Sequence, residues 1–305
     1  ITPLVPFAER RTITMKIKTN AMNIGFEVVN YTFLAILGAI CLYPLINVFA
    51  ISFSNYPAYV KQPLMIIPRD IDITAYKRIL TNPLLLSSYK NTIFVTLAGT
   101  AISVLLTVMT AYPLAKSKVK GSRGIMLFIV FTMFFNGGII PTYMVVKNLN
   151  LLDSLWALIL PTAMSTYNFI IVRNFLESIP DSIEESAKID GAGYILILFK
   201  LIIPLSKPVL ATISLFYAVS NWNRFFEAYM YITKRSNWTL TLLLREIVSD
   251  NSDVMNVTDP TAAETVFPKT MQCATIVATT LPILFSYPFL QKYFIKGIML
   301  GAVKG

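Results

Sequence analysis

Apolar residues run along this chain in long blocks rather than alternating with polar ones. Six stretches, 28–53, 91–112, 124–143, 155–172, 209–232 and 272–289, are rich in Leu, Ile, Val, Phe and Ala, and only the fifth is interrupted by charge. A hydrocarbon core about 30 Å thick takes about 20 residues of helix, so each block is expected to cross a membrane or nearly so. Barrel strands would instead appear as segments of about ten residues with strict alternation. The pattern predicts an all-α, polytopic membrane protein: a cytoplasmic segment over 1–27, then a domain of six transmembrane helices over 28–305. Residues 1–25 carry Arg10, Arg11, Lys16 and Lys18 but lack the apolar core and small-residue cleavage site of a signal peptide, so the first block is read as the first helix.

Composition strengthens this picture. Of 305 residues, 55% are hydrophobic and 14% charged, and mean hydropathy is +0.63. Soluble domains carry roughly 25% charged residues, too many for this chain to be one. The net charge of +10 sits in short basic clusters between apolar blocks, with no basic stripe interleaved with aromatics, so nucleic-acid binding is not expected. The loop holding Lys116, Lys118, Lys120 and Arg123 has no acid and is expected to face the cytoplasm, which places both termini there. Outside, the segments 54–90, with four prolines, and 233–271, with the polar run 249–261, would be the longer surface elements.

Candidate chemistry is narrowed mostly by what is missing. The chain has no histidine, which removes the usual general base, proton shuttle and imidazole ligand. Cys41 and Cys273 are isolated in or beside apolar blocks, where a thiol behaves as a small hydrophobe; neither a disulfide framework nor a metal site is predicted. No Gly-x-x-x-x-Gly-Lys-Ser/Thr loop is present to cradle phosphates: Gly137-Gly138 and Gly297-x-x-x-Gly301 lack the lysine. The chain is expected to be no enzyme and to carry no cofactor of its own.

The segment between the fourth and fifth blocks is the most informative. It reads Ile179-Pro-Asp-Ser-Ile-Glu-Glu-Ser-Ala-Lys-Ile-Asp-Gly-Ala-Gly and continues to Leu201-Ile-Ile-Pro204. Ser182 and Glu185 have capping-box spacing, Asp181, Glu184 and Glu185 suit the positive end of a helix dipole, and Gly191 and Gly193 can end the helix. A short helix and turn beside the membrane is predicted over the loop 173–208.

Glu185-Ser186-Ala187, three residues, Gly191, nine residues, then Leu201-Ile-Ile-Pro204 resembles the EAA loop of importer permeases of the ATP-binding-cassette superfamily. Ser186 stands for the first alanine, and Leu201 and Ile203 for the usual Ile and Leu. Asn221-Trp-Asn-Arg-Phe225 is similar to a segment of the maltose-type, sugar-importing branch. Phe134 to Tyr143 and the ending Gln291-Lys-Tyr-Phe-Ile-Lys-Gly resemble the subgroup that takes up oligosaccharides and polysaccharide fragments. The resemblance covers 91 to the C-terminus, with a permease core at about 88–292, and implies the type I importer permease fold. It implies that Ser182, Glu184, Glu185, Ser186, Ala187, Asp190, Gly191, Ala192 and Pro204 form a coupling helix docked on a separate ATPase that binds the ATP and Mg. It further implies a second, homologous permease, two ATPase subunits, an external solute-binding protein, and a carbohydrate translocated into a bacterial cell by alternating access.

The fifth block is the only one holding ionisable residues, Arg224 and Glu227. Charges in a membrane rarely face lipid. On a continuous helix Ser220, Asn223, Arg224, Glu227 and Tyr231 would share one arc. Two readings stand side by side. Either the arc, with Asn221 and, less directly, Asn136, Tyr143, Tyr167 and Asn168, lines a substrate path, or Arg224 and Glu227 pair with each other and hold the bundle. An ion-coupled secondary carrier is the alternative function, although such carriers show inverted repeats and buried acids or histidines; a membrane scaffold is the third.

Overall fold

The computed structural model describes residues 21–116, 119–135, 137–248, 269–282 and 284–285. Apart from one isolated bridge between Ser54 and Ile71, the described residues form helices, turns and loops without a strand. The chain divides into two units, 1–47 and 48–305. In the first, the residues of helix α1 (Ala21–Ser52) expose Phe26, Tyr31, Ile36, Ile40 and Leu45. Such a surface is unfavourable in water and at home in lipid.

Helices α1 and α4 (Pro83–Lys116) are each long and apolar enough to cross a membrane. Between them lie α2 (Tyr56–Lys61), whose cap Asn55 accepts the Ala58 amide, and α3 (Thr74–Thr81). The third block is broken: α5 (Ser122–Phe134) and α6 (Ile139–Asn148) meet at 112°. Gly138 sits at the break with φ +88°, a backbone that side chains other than glycine rarely adopt. The fourth block is broken too. It starts as α7 (Trp156–Ile159), passes through a 3₁₀ turn at Leu160–Thr162, and resumes as α8 (Thr166–Glu177), whose first turn is capped by the Ser165 hydroxyl.

Past the intervening loop, α12 (Lys207–Trp222), α13 (Phe226–Tyr231) and α14 (Leu240–Val248) follow, and residues 269–282 are helical. Counting each bent pair as one crossing raises the described spans from two to four. The expected six are therefore not reached within the described residues.

The second unit is organised along α4. Leu85, Ser88, Thr92, Val95, Gly99, Ser103, Thr107 and Ala111 recur at three- and four-residue steps and are buried, so one stripe of small, hydroxyl and apolar residues faces the protein. Three clusters hang on it in succession. Leu85 packs with Ile79, Leu240, Leu243 and Met271. Val95 joins Val146, Leu158, Ile159, Tyr231 and Leu242. Val108, Ala111, Tyr112 and Leu114 pack with Phe169, Val172, Leu176, Ile202 and Ile213. At the third, the Tyr217 hydroxyl lies 2.8 Å from Thr107 Oγ1 and accepts the Ser165 amide at 3.0 Å, tying α12 and the start of α8 to α4.

Candidate functional site

Helix α9 (Asp181–Ile189) follows Pro180, with Asp181 and Glu184 in its first turn favouring the dipole. The expected capping box does not form. Pro180, with φ −58° and ψ 136°, takes the cap position, so the helix starts before Ser182 and no side chain caps it. The start is held instead by Lys116, the last residue of α4. Its ammonium donates to the Ile179 carbonyl and, at 2.7 Å, to Asp181 Oδ1, and its side chain is only 2% exposed.

Spacing then sorts α9 into two faces. Ile183, Glu184 and Ala187 turn inward, Ile183 and Ala187 onto the cluster containing Tyr112, Leu114 and Leu176. Glu184 Oε2 lies 3.8 Å from Lys188 Nζ, and the Tyr112 hydroxyl is within electrostatic reach of the same carboxylate. Ser182, Glu185, Ser186 and Asp190 are exposed. The helix ends in a Schellman motif: the Ala192 amide donates to the Ala187 carbonyl at 2.9 Å and the Gly191 amide to the Lys188 carbonyl at 3.0 Å, with Gly191 at φ +83°. Gly193 differs from the expectation, because its φ of −73° is ordinary and it caps the next helix.

That next segment is α10 (Tyr194–Ile197), a π turn at Leu198–Ile202, and α11 (Ile203–Leu205), followed by an 83° bend into α12. Pro204 explains the π turn. It has no amide to give the Lys200 carbonyl, and its ring crowds that position, so the preceding turn widens. Ile197, Leu198 and Ile202 anchor the segment in the cluster, while Ile189, Tyr194 and Ile195 stand 87%, 60% and 76% exposed around the turn. The result is a helix fastened at its start by α4, at its end by a glycine turn, with an apolar and acidic outer surface.

The candidate path residues fall differently. Helix α12 stops at Trp222, and Asn223 to Phe225 separate it from α13, so the single polar arc does not exist. The cause is Arg224. Its guanidinium, 7% exposed, donates to the Leu158 carbonyl at 2.6 Å and to Asn221 Oδ1 at 2.8 Å, which pulls the chain out of helical register. No Arg224–Glu227 ion pair is present among the described residues. Asn221 lies directly on Gly99: a Cβ there would come 2.7 Å from Asn221 Nδ2. Tyr231 is buried against Tyr143, their rings 6.2 Å apart, and Asn168 is buried. Asn223 and Tyr167 are exposed and Glu227 partly so. Asn136 lies outside the described residues.

Asp153, between α6 and α7, was not singled out by sequence pattern. At φ +59° it accepts the amides of Thr233 at 2.6 Å and Lys234 at 2.8 Å on Oδ1, and its own amide donates to the Tyr231 carbonyl at 2.9 Å. Those two amide donors hold its carboxyl below the usual carboxylate range. The available signal was the pair Asn150 and Asp153, residue types that tolerate the left-handed backbone both adopt.

The described residues thus form a helical chain with segments apolar enough to cross a membrane and one short helix fastened at its surface. Residues 100–299 match the family described as binding-protein-dependent transport system inner membrane component, and the chain belongs to that family. It is 43% identical over 281 residues to the polygalacturonan/rhamnogalacturonan transport system permease protein YtcP of Bacillus subtilis, covering 92% of this chain and 98% of that one. Protein LplC of the same organism is 44% identical over 281 residues, 92% and 95% of the two chains. A chain of a bacterial ABC transporter involved in the import of the acidic polysaccharide alginate superposes with a TM-score of 0.84 at 37% identity, covering 90% of this chain and 99% of that one.

Proposed function

We propose that this chain is one of two permease subunits of an ATP-driven importer that brings an oligosaccharide or polysaccharide fragment into the cytoplasm. The observation that carries the reading is α9: a helix secured at both ends, with Ile189, Tyr194 and Ile195 exposed beside Glu185 and Asp190. A rigid helix of this kind passes on a displacement that a floppy loop would absorb. Ser182, Glu185, Ser186 and Asp190 face the ATPase. Glu184, Ala187 and Ala192 seat the helix, and Gly191 and Pro204 shape its exit.

The chain performs no chemistry. Two copies of a separate ATPase bind ATP and Mg, a second permease completes the pathway, and an external solute-binding protein delivers the sugar. Closure of the ATPases moves α9, and α9 moves α4 through Lys116 and the cluster at Tyr112, switching the pathway between its outward and inward openings. Six crossings over 28–305 and a cytoplasmic 1–27 put both termini inside and α9 on the ATPase side. The relatives above support carbohydrate as the cargo. A secondary carrier is disfavoured by the single acid, Glu227, in the fifth block and the lack of any histidine.

The test is substrate-stimulated ATP hydrolysis and uptake by the reconstituted complex carrying Gly191→Pro, since proline cannot adopt φ +83°. Loss of both, with the complex assembled or cleanly parted from its ATPase, is the expected result. Fully coupled transport in the variant sinks the coupling assignment.

A further inference from the structure

Arg245, on α14, has a setting that nothing above uses. Its guanidinium carbon lies 4.2 Å from the Tyr229 ring centroid and 5.2 Å from that of Phe225. The two rings are stacked, 6.0 Å apart at 22°. Arg245 and Tyr229 are exposed, and Arg245 makes no ion pair among the described residues. The rings thus fix the cation by cation–π attraction, and among the described residues no carboxylate occupies its fork of donors.

The platform is built into the break that Arg224 creates. Phe225 follows Arg224, and Tyr229 is one helical turn beyond it. Thr241, one turn before Arg245 on α14, donates from Oγ1 to the Arg224 carbonyl at 3.2 Å, and the Leu240 amide donates to Thr92 Oγ1 on α4 at 2.9 Å. Thr92 lies about 36 Å up α4 from Lys116 at helical rise, just past a hydrocarbon core of about 30 Å. With the Lys116 end inside, the platform stands at the external edge of the membrane. An exposed arginine there is costly against lipid, which favours an aqueous setting.

We propose that Arg245, seated on Tyr229 and Phe225, is a subsite at the outer mouth of the pathway for a carboxylated sugar unit. The inference rests on the carbohydrate reading above and adds the residue that senses a carboxylate on the cargo. A uronate offers what the platform lacks: a planar carboxylate to accept two parallel hydrogen bonds from the guanidinium, and an apolar ring face to lie on tyrosine or phenylalanine.

The experiment uses proteoliposomes holding the complete complex and measures uptake of galacturonate, glucuronate and mannuronate oligosaccharides and of their methyl esters. Arg245→Gln should lower uptake of the preferred acid at least tenfold more than uptake of its ester. Arg245→Lys, which keeps the charge without the fork, should fall between, and Tyr229→Leu should lower both. Equal losses on acid and ester, no loss in Arg245→Gln, or failure of Arg245→Gln and Arg245→Lys alike to assemble would overturn the subsite. A wild-type complex that imports none of these sugars overturns the carbohydrate reading and the subsite with it.

Discussion

The turn after α9 and the break after α12 both interrupt helical chain, and they do so by opposite means. At the first, the interruption is local: Gly191 takes a left-handed backbone, its two amide bonds close within five residues, and a Cβ at that position would meet nothing within 4 Å. At the second, the interruption is imposed from a distance, by the Leu158 carbonyl on α7 drawing Arg224 inward and by Gly99 on α4 leaving room for Asn221. A local stop can be moved as a unit, which suits a part that relays force. A stop tied to two other helices holds those helices in register.

Substitutions can break this comparison. The largest effect belongs to Gly191→Pro, which should abolish coupled uptake while leaving the outer region folded. Arg224→Ala comes next. It strips the Leu158 carbonyl and Asn221 of a charged donor and should cost about 2 kcal/mol, read as a lowered midpoint in detergent denaturation. If it instead left stability untouched and removed only transport, the register role would be wrong. Gly191→Ala should cost about 1 kcal/mol through backbone alone, because the site has space and only the left-handed conformation resists. Ser182→Ala should cost under about 0.5 kcal/mol, since the serine caps nothing; a loss above 1 kcal/mol would restore the capping box.

The smallest effect is one of pH. Because the Asp153 pKa is depressed, its hold on Thr233 and Lys234 is complete above the ordinary carboxylate value of about 4 and is lost as pH falls through the lower folded value. The fluorescence of Trp238 in the same loop should be steady from neutral pH down to about 5 and change below about 4. Asp153→Asn should remove that step.

The same contrast decides what could be read from the chain. Gly191 and the acidic first turn act through bonds to neighbours in sequence, so their spacing announced a helix and a stop. The apolar blocks announced membrane helices for a similar reason, because hydropathy needs no partner. The breaks within the third and fourth blocks were hidden by their largely apolar composition, and the break in the fifth by a partner distant in sequence. Arg224 was open to two readings, lining a path or pairing with Glu227, because the carbonyl it serves is 66 positions away. Ser182 misled in the other direction: its spacing matched a cap, but Pro180 and Lys116 had already set where the helix begins.

Helix α4 spans 34 residues and touches all three clusters in turn. Its length of about 51 Å makes it a lever: a tilt of about 5° about its middle carries each end through about 2 Å, in opposite directions. Lys116 is the handle and the Asn221–Gly99 contact lies near the fulcrum. A push at the α9 end is therefore returned at the Pro83 end as a movement of about the same size in the opposite direction, so that spreading at one end is closing at the other.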